Sequence, residues 1–147
     1  MDRREMLTTT LGGIAAIAAT SGIAFAAEKE HEHQHMAAPG NAALAAASFH
    51  CVQAAEAGIR HCLEELGKGD KSLAECAGKM NELKTACTAL GLFSSYGSAH
   101  AKDMARLTIK VCEDSEKECR KFEKHKECME CADSCKKCIE ECRKFAV

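Results

Sequence analysis

Residues 128–142 read CMECADSCKKCIEEC, and this stretch decides the fold. Its five cysteines follow one another at alternating intervals of three and four residues, with no Pro or Gly between them. Because an α-helix turns by about 100° per residue, this spacing keeps all five thiols within a sector of about 80°. The stretch therefore predicts a helix that carries one continuous stripe of cysteines: Cys128, Cys131, Cys135, Cys138 and Cys142.

The other six cysteines form three pairs that also keep to one helix face. The intervals within the pairs are 11, 11 and 7 residues, and both spacings return to nearly the same face. The pairs are Cys51 with Cys62, Cys76 with Cys87, and Cys112 with Cys119. From residue 41 onward the chain has no Pro and is rich in the helix formers Ala, Leu, Glu and Lys. We therefore expect each pair to mark one helix.

The helix boundaries follow from capping signals and from the phase of the cysteines. Pro39-Gly40 precedes an N-cap candidate at Asn41, residues 67–70 break the chain, and Ser72-x-x-Glu75 has the form of a capping box. Gly91 is a C-cap candidate, and Ser94 or Ser95 would open the third helix. Cys119 and Cys128 are nine residues apart, about 180° on a helix, so a turn near residues 123–126 is needed for both stripes to face inward. The sequence predicts an all-α protein, an antiparallel up-down-up-down four-helix bundle with a cysteine-lined core and helices at about 41–66, 72–90, 95–123 and 127–145.

The first 40 residues have the composition of a targeting segment and a leader. Residues 1–26 combine a charged start, an apolar run and an A-x-A site at residues 24–26, which predicts a cleavable secretory signal. Arg3-Arg4 followed by Met6-Leu7 favours the twin-arginine (Tat) route, which exports folded proteins to the periplasm, over the Sec route. The apolar run is too short for a membrane anchor. Residues 27–40 form a flexible, His-rich leader that either binds metal weakly or is a solvated tail.

Eleven inward thiols are best explained by a soft metal ion. Disulfides along one helix would be strained, because Cβ atoms at these spacings are about 5–6 Å apart and a disulfide requires about 3.5–4.5 Å. Zinc sites need only four ligands, and iron–sulfur ligands lie on loops. Cu(I) prefers thiolate and thioether ligands, and thiolates that each bridge two ions would hold about one Cu(I) per cysteine, about eleven in all. This capacity predicts multiple Cu(I) ions, copper storage and no enzymatic activity.

Two other functions remain open from the sequence. A copper chaperone or resistance protein would have fewer, more exchangeable sites, and the His-rich leader favours this reading. A secreted interaction module stapled by disulfides would have almost no free thiols. With 20 basic and 22 acidic residues, the charge gives no support for nucleic-acid binding.

The cysteine ladder at 128–142, the two C-x10-C pairs and the signal together resemble the Csp family of copper storage proteins. The resemblance covers residues 41–147 and the signal. It implies a four-helix bundle that binds many Cu(I) ions through its eleven cysteines, supplies copper to an unknown acceptor or removes it for detoxification, and forms a homotetramer. It also implies that Cu(I) enters at one end of the bundle through Met and His.

Five residues are candidates for accessory ligands or for ligands where copper enters. Met80 shares the stripe of Cys76 and Cys87, and Met104 lies about 80° from the Cys112 stripe. The up-down topology groups the candidates at the two bundle ends without showing which end is open. The five are Met80, Met104, His50, His100 and His61. Plain core packing or a surface role explains each of them equally well, and Met129 and His125 are excluded because they point outward or lie in a turn.

Overall fold

The computed structural model describes residues 41–146, so the signal and the leader lie outside the described residues. Four α-helices follow one another along this part of the chain, and a short 3-10 helix, Lys71–Leu73, precedes the second of them. The helices are α1 (Asn41–Gly67), α2 (Ala74–Ser95), α3 (Ala101–Cys119) and α4 (Lys126–Ala146). No strand occurs among the described residues, and none of their helices is long and apolar enough to cross a membrane.

The helices pack as a four-helix bundle. α1 packs against α2 and α4, and α3 packs against the same two helices, so each helix has two neighbours next to it and one across the bundle. Short connections make consecutive helices antiparallel. The prediction of an all-α bundle with a cysteine-lined core is confirmed. We call the enclosed space the lumen.

The turn between α3 and α4 is confirmed where the cysteine phase required it. α3 ends at Cys119 and α4 begins at Lys126, which reverses the chain between the two cysteine stripes. Two successive backbone hydrogen bonds shape the turn: Phe122 N–H donates to the Cys119 carbonyl (3.0 Å), and His125 N–H donates to the Phe122 carbonyl (2.9 Å). The predicted third helix, which ran to residue 123, is therefore too long at this end.

The boundary between α2 and α3 differs from the prediction. Gly91 does not end α2, which continues to Ser95, and α3 begins at Ala101 rather than near residue 95. Gly91 is buried inside the helix because the Phe49 ring of α1 lies over it, where a Cβ would come within 2.8 Å of that ring. Gly97, with φ 63, provides the left-handed conformation in the actual connection.

The start of α2 also uses a different cap from the one predicted. The Asp70 carboxylate accepts a hydrogen bond from the Ser72 backbone N–H at 2.9 Å and caps the short 3-10 helix. The Ser72–Glu75 capping box is therefore wrong. Asp70 follows Gly69, whose φ of 99 lets the chain leave α1.

Candidate metal centre

All eleven cysteines are buried and free. Each has a relative exposure of 0 %, and none forms a disulfide. The stripes predicted from the sequence therefore all face the lumen, one from each helix. Leu and Ala side chains, with Met80 and Ile139, form the rest of the core, so the thiols are both packing groups and reactive groups of the interior.

Most of the thiols gather in two groups at different levels of the lumen. Within each group, every Sγ lies within 4.8 Å of every other. One group takes a thiol from each helix: Cys51, Cys87, Cys112 and Cys138. The other group consists of Cys62, Cys76 and Cys128. We call these the quartet and the trio.

The remaining thiols join the quartet and the trio into one network. Cys76 Sγ, of the trio, lies 3.8 Å from Cys119 Sγ and 3.9 Å from Cys128 Sγ. From Cys119, thiol hydrogen bonds continue through Cys131 to Cys135, which contacts Cys112 of the quartet. Beyond the quartet, Cys142 contacts Cys138. A metal ion bound anywhere along this path therefore has neighbouring thiols on both sides.

The thiols of the network differ in acidity because they exchange hydrogen bonds. Hydrogen bonds with Cys128 and Cys76 lower the pKa of Cys62 to about 3, against the opposing effect of burial. Hydrogen bonds with Cys131 and Cys76 lower the pKa of Cys119 to about 4. A few thiolates are thus stabilised by protonated neighbours.

Other thiols of the network are held in the protonated form. The pKa of Cys76 is raised, first by its hydrogen bond to Cys119, and the pKa of Cys112 is raised, first by its hydrogen bond to Cys135. Burial raises both further, because an apolar interior disfavours the charged thiolate. Full ionisation of the network therefore requires cations inside the lumen.

Two serine hydroxyls contact the network. Ser134 Oγ is 3.4 Å from Cys51 Sγ and also donates to the Cys131 carbonyl at 2.7 Å. Ser115 Oγ lies 3.9 Å from Cys119 Sγ. Both serines are buried, so their hydroxyls add polar contacts to sulfur without opening the lumen to water.

The two ends of the bundle are built differently. At the end where α1 and α3 finish and α2 and α4 begin, which we call the thiol end, Cys119 is the last residue of α3 and Cys76 and Cys128 are in the first turns of their helices. At the opposite end, the apolar end, two to three helical turns separate the quartet from the starts of α1 and α3. Buried Leu44, Leu90 and alanines fill most of this space, together with Cys142 and the hydroxyl side chains of Ser48, Ser94 and Thr108.

Two histidines and a glutamate lie at the thiol end. His61 Nε2 is 2.7 Å from His125 Nδ1, and His61 Nδ1 is 3.6 Å from Glu127 Oε2. The His61 side chain is 18 % exposed, and its backbone neighbour Cys62 belongs to the trio. His61 thus stands between solvent and the outermost thiols.

His125 was excluded at the sequence level because it lies in the turn, and this exclusion missed its contact with His61. The turn folds back over the end of α1 and brings the two rings together, with centroids 4.9 Å apart. A signal was available. His125 precedes Cys128 by one helical turn, and Cys128 and Cys62 were already expected at the same end.

The other four accessory candidates lie in different surroundings. His50 is exposed and faces an outer groove with Lys137 and Glu140, and His100 is exposed just before α3. Neither lies against the thiols. Met104 is half-buried against the core, and Met80 is completely buried in it.

The donor set determines which ions the lumen suits. Four thiols within 4.8 Å match the ligand number of tetrahedral zinc, but a chain of eleven continues well beyond one such site. Thiolates that are close enough to bridge neighbouring ions suit Cu(I), which is soft and prefers sulfur ligands. The arrangement therefore supports a multinuclear Cu(I)–thiolate cluster.

Comparisons with known proteins agree with this chemistry. A sequence model of the Csp family, copper storage protein, matches residues 37–147. Among solved structures, the Cu(I)-bound copper storage protein BsCsp3 is similar, with a TM-score of 0.68 and 28 % sequence identity over 74 % of this chain and 99 % of that one. No curated protein sequence gave a significant match.

Proposed function

Since the chain belongs to the copper storage protein family, we propose that it stores Cu(I) in the periplasm with all eleven cysteine thiolates as ligands. The observation that carries this proposal is the continuous network of eleven buried, free thiols. Each ion that binds two thiols displaces their protons, and its positive charge offsets the negative charge of the thiolates that result. Bridging thiolates give a capacity of about one Cu(I) per cysteine, roughly eleven ions.

The same observation favours storage over the other two functions. A disulfide-stapled module needs paired cysteines, and the structure describes all eleven as free. A chaperone that transfers copper rapidly needs exposed ligands, whereas every thiol here is completely buried. Storage for cuproenzymes or for detoxification, without catalysis, fits a closed interior with many thiol ligands.

Metal stoichiometry tests the storage function. Reduced protein is titrated anaerobically with Cu(I) in the presence of a competing high-affinity chelator, and free thiols are counted on the same sample. We expect saturation at about ten or more equivalents, with eleven free thiols before loading. Saturation at one or two equivalents, or a thiol count near zero in protein isolated from the periplasm, would refute storage.

We propose further that copper enters at the thiol end, past His61 and His125. Imidazole nitrogens are copper ligands, and these two lie between solvent and the trio. At the apolar end the exposed His50 and His100 lie away from the thiols, and buried Leu44 and Leu90 lie between the helix termini and the quartet. The Glu127 carboxylate, whose Oε2 lies 3.6 Å from His61 Nδ1, favours the approach of a cation.

The rate of loading tests this path. We expect the variant His61→Leu/His125→Leu to take up Cu(I) several-fold more slowly in stopped-flow measurements while its final capacity stays the same. The matched control is His50→Leu/His100→Leu, whose histidines lie outside the bundle, and it should load at the wild-type rate. Equal rates for all three proteins would refute entry at the thiol end.

Export and assembly complete the proposal. The Arg3-Arg4 signal supports export by the twin-arginine route after folding, which protects the thiols from the oxidising periplasm. Replacing both arginines with lysine should leave the protein in the cytoplasm.

The family resemblance favours a homotetramer, and exposed Leu63, Leu92 and Leu107 give the bundle apolar surface for such contacts. Light scattering measures the assembly directly.

A further inference from the structure

The trio and the quartet are separated on α1 and α2 by a level that has no thiol. Gly58 lies seven residues after Cys51 and four before Cys62, and Met80 lies four residues after Cys76 and seven before Cys87. Because the two helices are antiparallel, Gly58 and Met80 occupy matching positions on the two cysteine stripes. Both therefore face the lumen at the same level.

The thioether of Met80 fills the lumen at this level. A Cβ on Gly58 would lie 2.5 Å from Met80 Sδ and 2.7 Å from its Cε, so the methionine occupies the space that a side chain at position 58 would take. Met80 is completely buried. Its sulfur thus lies in the interior, on the α1 side, between the levels of the trio and the quartet.

A thiol of α4 faces Met80 across the lumen. α2 and α4 run in the same direction, and Cys76 Sγ and Cys128 Sγ are 3.9 Å apart across the bundle. From this contact Met80 is about 6 Å further along α2, and Cys131 is about 4.5 Å further along α4. Cys131 also contacts Cys119, the thiol that links it to the trio. Met80 and Cys131 therefore lie at similar levels of the lumen, between the trio and the quartet, and Cys119 lies next to Cys131.

The residue type at this position favours a ligand. The other large aliphatic side chains buried on α2 and on the 3-10 helix before it are leucines: Leu73, Leu83 and Leu90. Leucine has almost the same volume as methionine and packs a core equally well, whereas only methionine brings sulfur. Thioether sulfur is a ligand that Cu(I) prefers.

We propose that Met80 is a Cu(I) ligand, which completes with the thiolates of Cys119 and Cys131 a mixed thioether–thiolate site between the trio and the quartet. The inference rests on the proposed function, since it assumes that copper fills the lumen. The site makes the ligand path continuous on the side of the lumen where α1 and α2 carry no thiol.

X-ray absorption at the selenium edge tests the bond directly. The full chain is produced with selenomethionine, reduced, and loaded with Cu(I) to saturation under anaerobic conditions. We expect a copper atom in the first shell of selenium in the loaded protein, and no such signal in the metal-free protein or in loaded Met80→Leu. The matched control is Met129→Leu, which removes a methionine outside the core and should keep the signal.

The outcomes separate this inference from the storage function. A loaded protein that holds about eleven copper ions without copper next to selenium would overturn the role of Met80 and leave storage intact. A copper–selenium signal that persists in Met80→Leu would assign the bond to another methionine and also overturn the inference. Saturation at one or two ions would instead refute storage.

Discussion

Replacing Gly58 with alanine tests how the lumen is packed, because the resulting change in the free energy of unfolding should be positive or negative depending on the side chain at position 80. A Cβ at position 58 would lie 2.5 Å from Met80 Sδ, so the thioether must move. Alanine gains about 1 kcal/mol over glycine inside a helix. Overpacking of a filled core typically costs about 1–3 kcal/mol. We therefore expect Gly58→Ala to lower the free energy of unfolding by about 1 kcal/mol.

The effect of Gly58→Ala on the free energy of unfolding should change sign when Met80 is replaced by alanine. Met80→Ala costs about 2–5 kcal/mol by itself, because it removes a buried side chain and leaves a cavity next to Gly58. In that background, Gly58→Ala keeps its gain of about 1 kcal/mol in helix propensity and buries a methyl group worth about 0.8 kcal/mol. It should therefore stabilise the protein by about 2 kcal/mol, which gives a coupling between the two sites of about 3 kcal/mol.

The assay is urea unfolding of the reduced, metal-free protein, monitored by circular dichroism. It is applied to the wild type, Gly58→Ala, Met80→Ala and the double variant, which form a double-mutant cycle. The matched control is Gly78→Ala, at an exposed glycine of α2 that has no atom within 4 Å of its Cβ position. It should stabilise the protein by about 1 kcal/mol in either background. If Gly58→Ala stabilises the wild type as much as Gly78→Ala does, or if the coupling is below about 0.5 kcal/mol, Met80 does not fill the lumen as described.

Three further predictions concern the core and one cap. Thr108 is buried and its hydroxyl has no hydrogen-bond partner among residues 41–146, so Thr108→Val should stabilise the metal-free protein by about 1 kcal/mol in urea unfolding. Ser48→Ala, which removes a hydroxyl bonded to the Leu44 carbonyl at 2.7 Å, should not stabilise it. Cys112 lies within 4.8 Å of the three other quartet thiols, whereas Cys142 lies beyond the quartet next to Cys138. Elemental analysis should therefore find that Cys142→Ser loses about one copper ion and Cys112→Ser more than one. The hydrogen bond from Ser72 lowers the pKa of Asp70, so Asp70→Ala should lower the free energy of unfolding at neutral pH. The difference in stability from the wild type should vanish as the pH falls through the lowered pKa that Asp70 has in the folded state. Asp70→Asn, which keeps a hydrogen-bond acceptor, should destabilise the protein less than Asp70→Ala.

The sequence was sufficient for the parts of the fold that depend on cysteine phase. The interval between Cys119 and Cys128 required a turn, and the structure has it, although no Gly or Pro marks the place. Periodicity was decisive there because a continuous helix would have turned one of the two cysteine stripes away from the lumen. The exclusion of disulfides along one helix also followed from helical geometry and agrees with the free thiols.

Local signals were less reliable where a tertiary contact competed with them. Gly91 has the form of a helix stop, but the Phe49 ring of α1 lies over it and the helix continues. The contact of His61 with His125 depends on how the α3–α4 turn folds, which no local pattern specifies. In each case the deciding partner is distant along the chain, so propensity alone could not identify it.

The distribution of sulfur follows from the geometry of the bundle. α4 carries five thiols and each other helix two, so the α1 and α2 stripes have a gap that α4 does not share. A thiol pair at Gly58 and Met80 would close this gap with two short side chains, whereas in this protein the single Met80 thioether fills the space beside Gly58. A glycine opposite a methionine solves the packing problem with one long side chain and still presents sulfur to the lumen. The same pair of residues therefore connects the stability of the empty bundle with the continuity of its copper ligands.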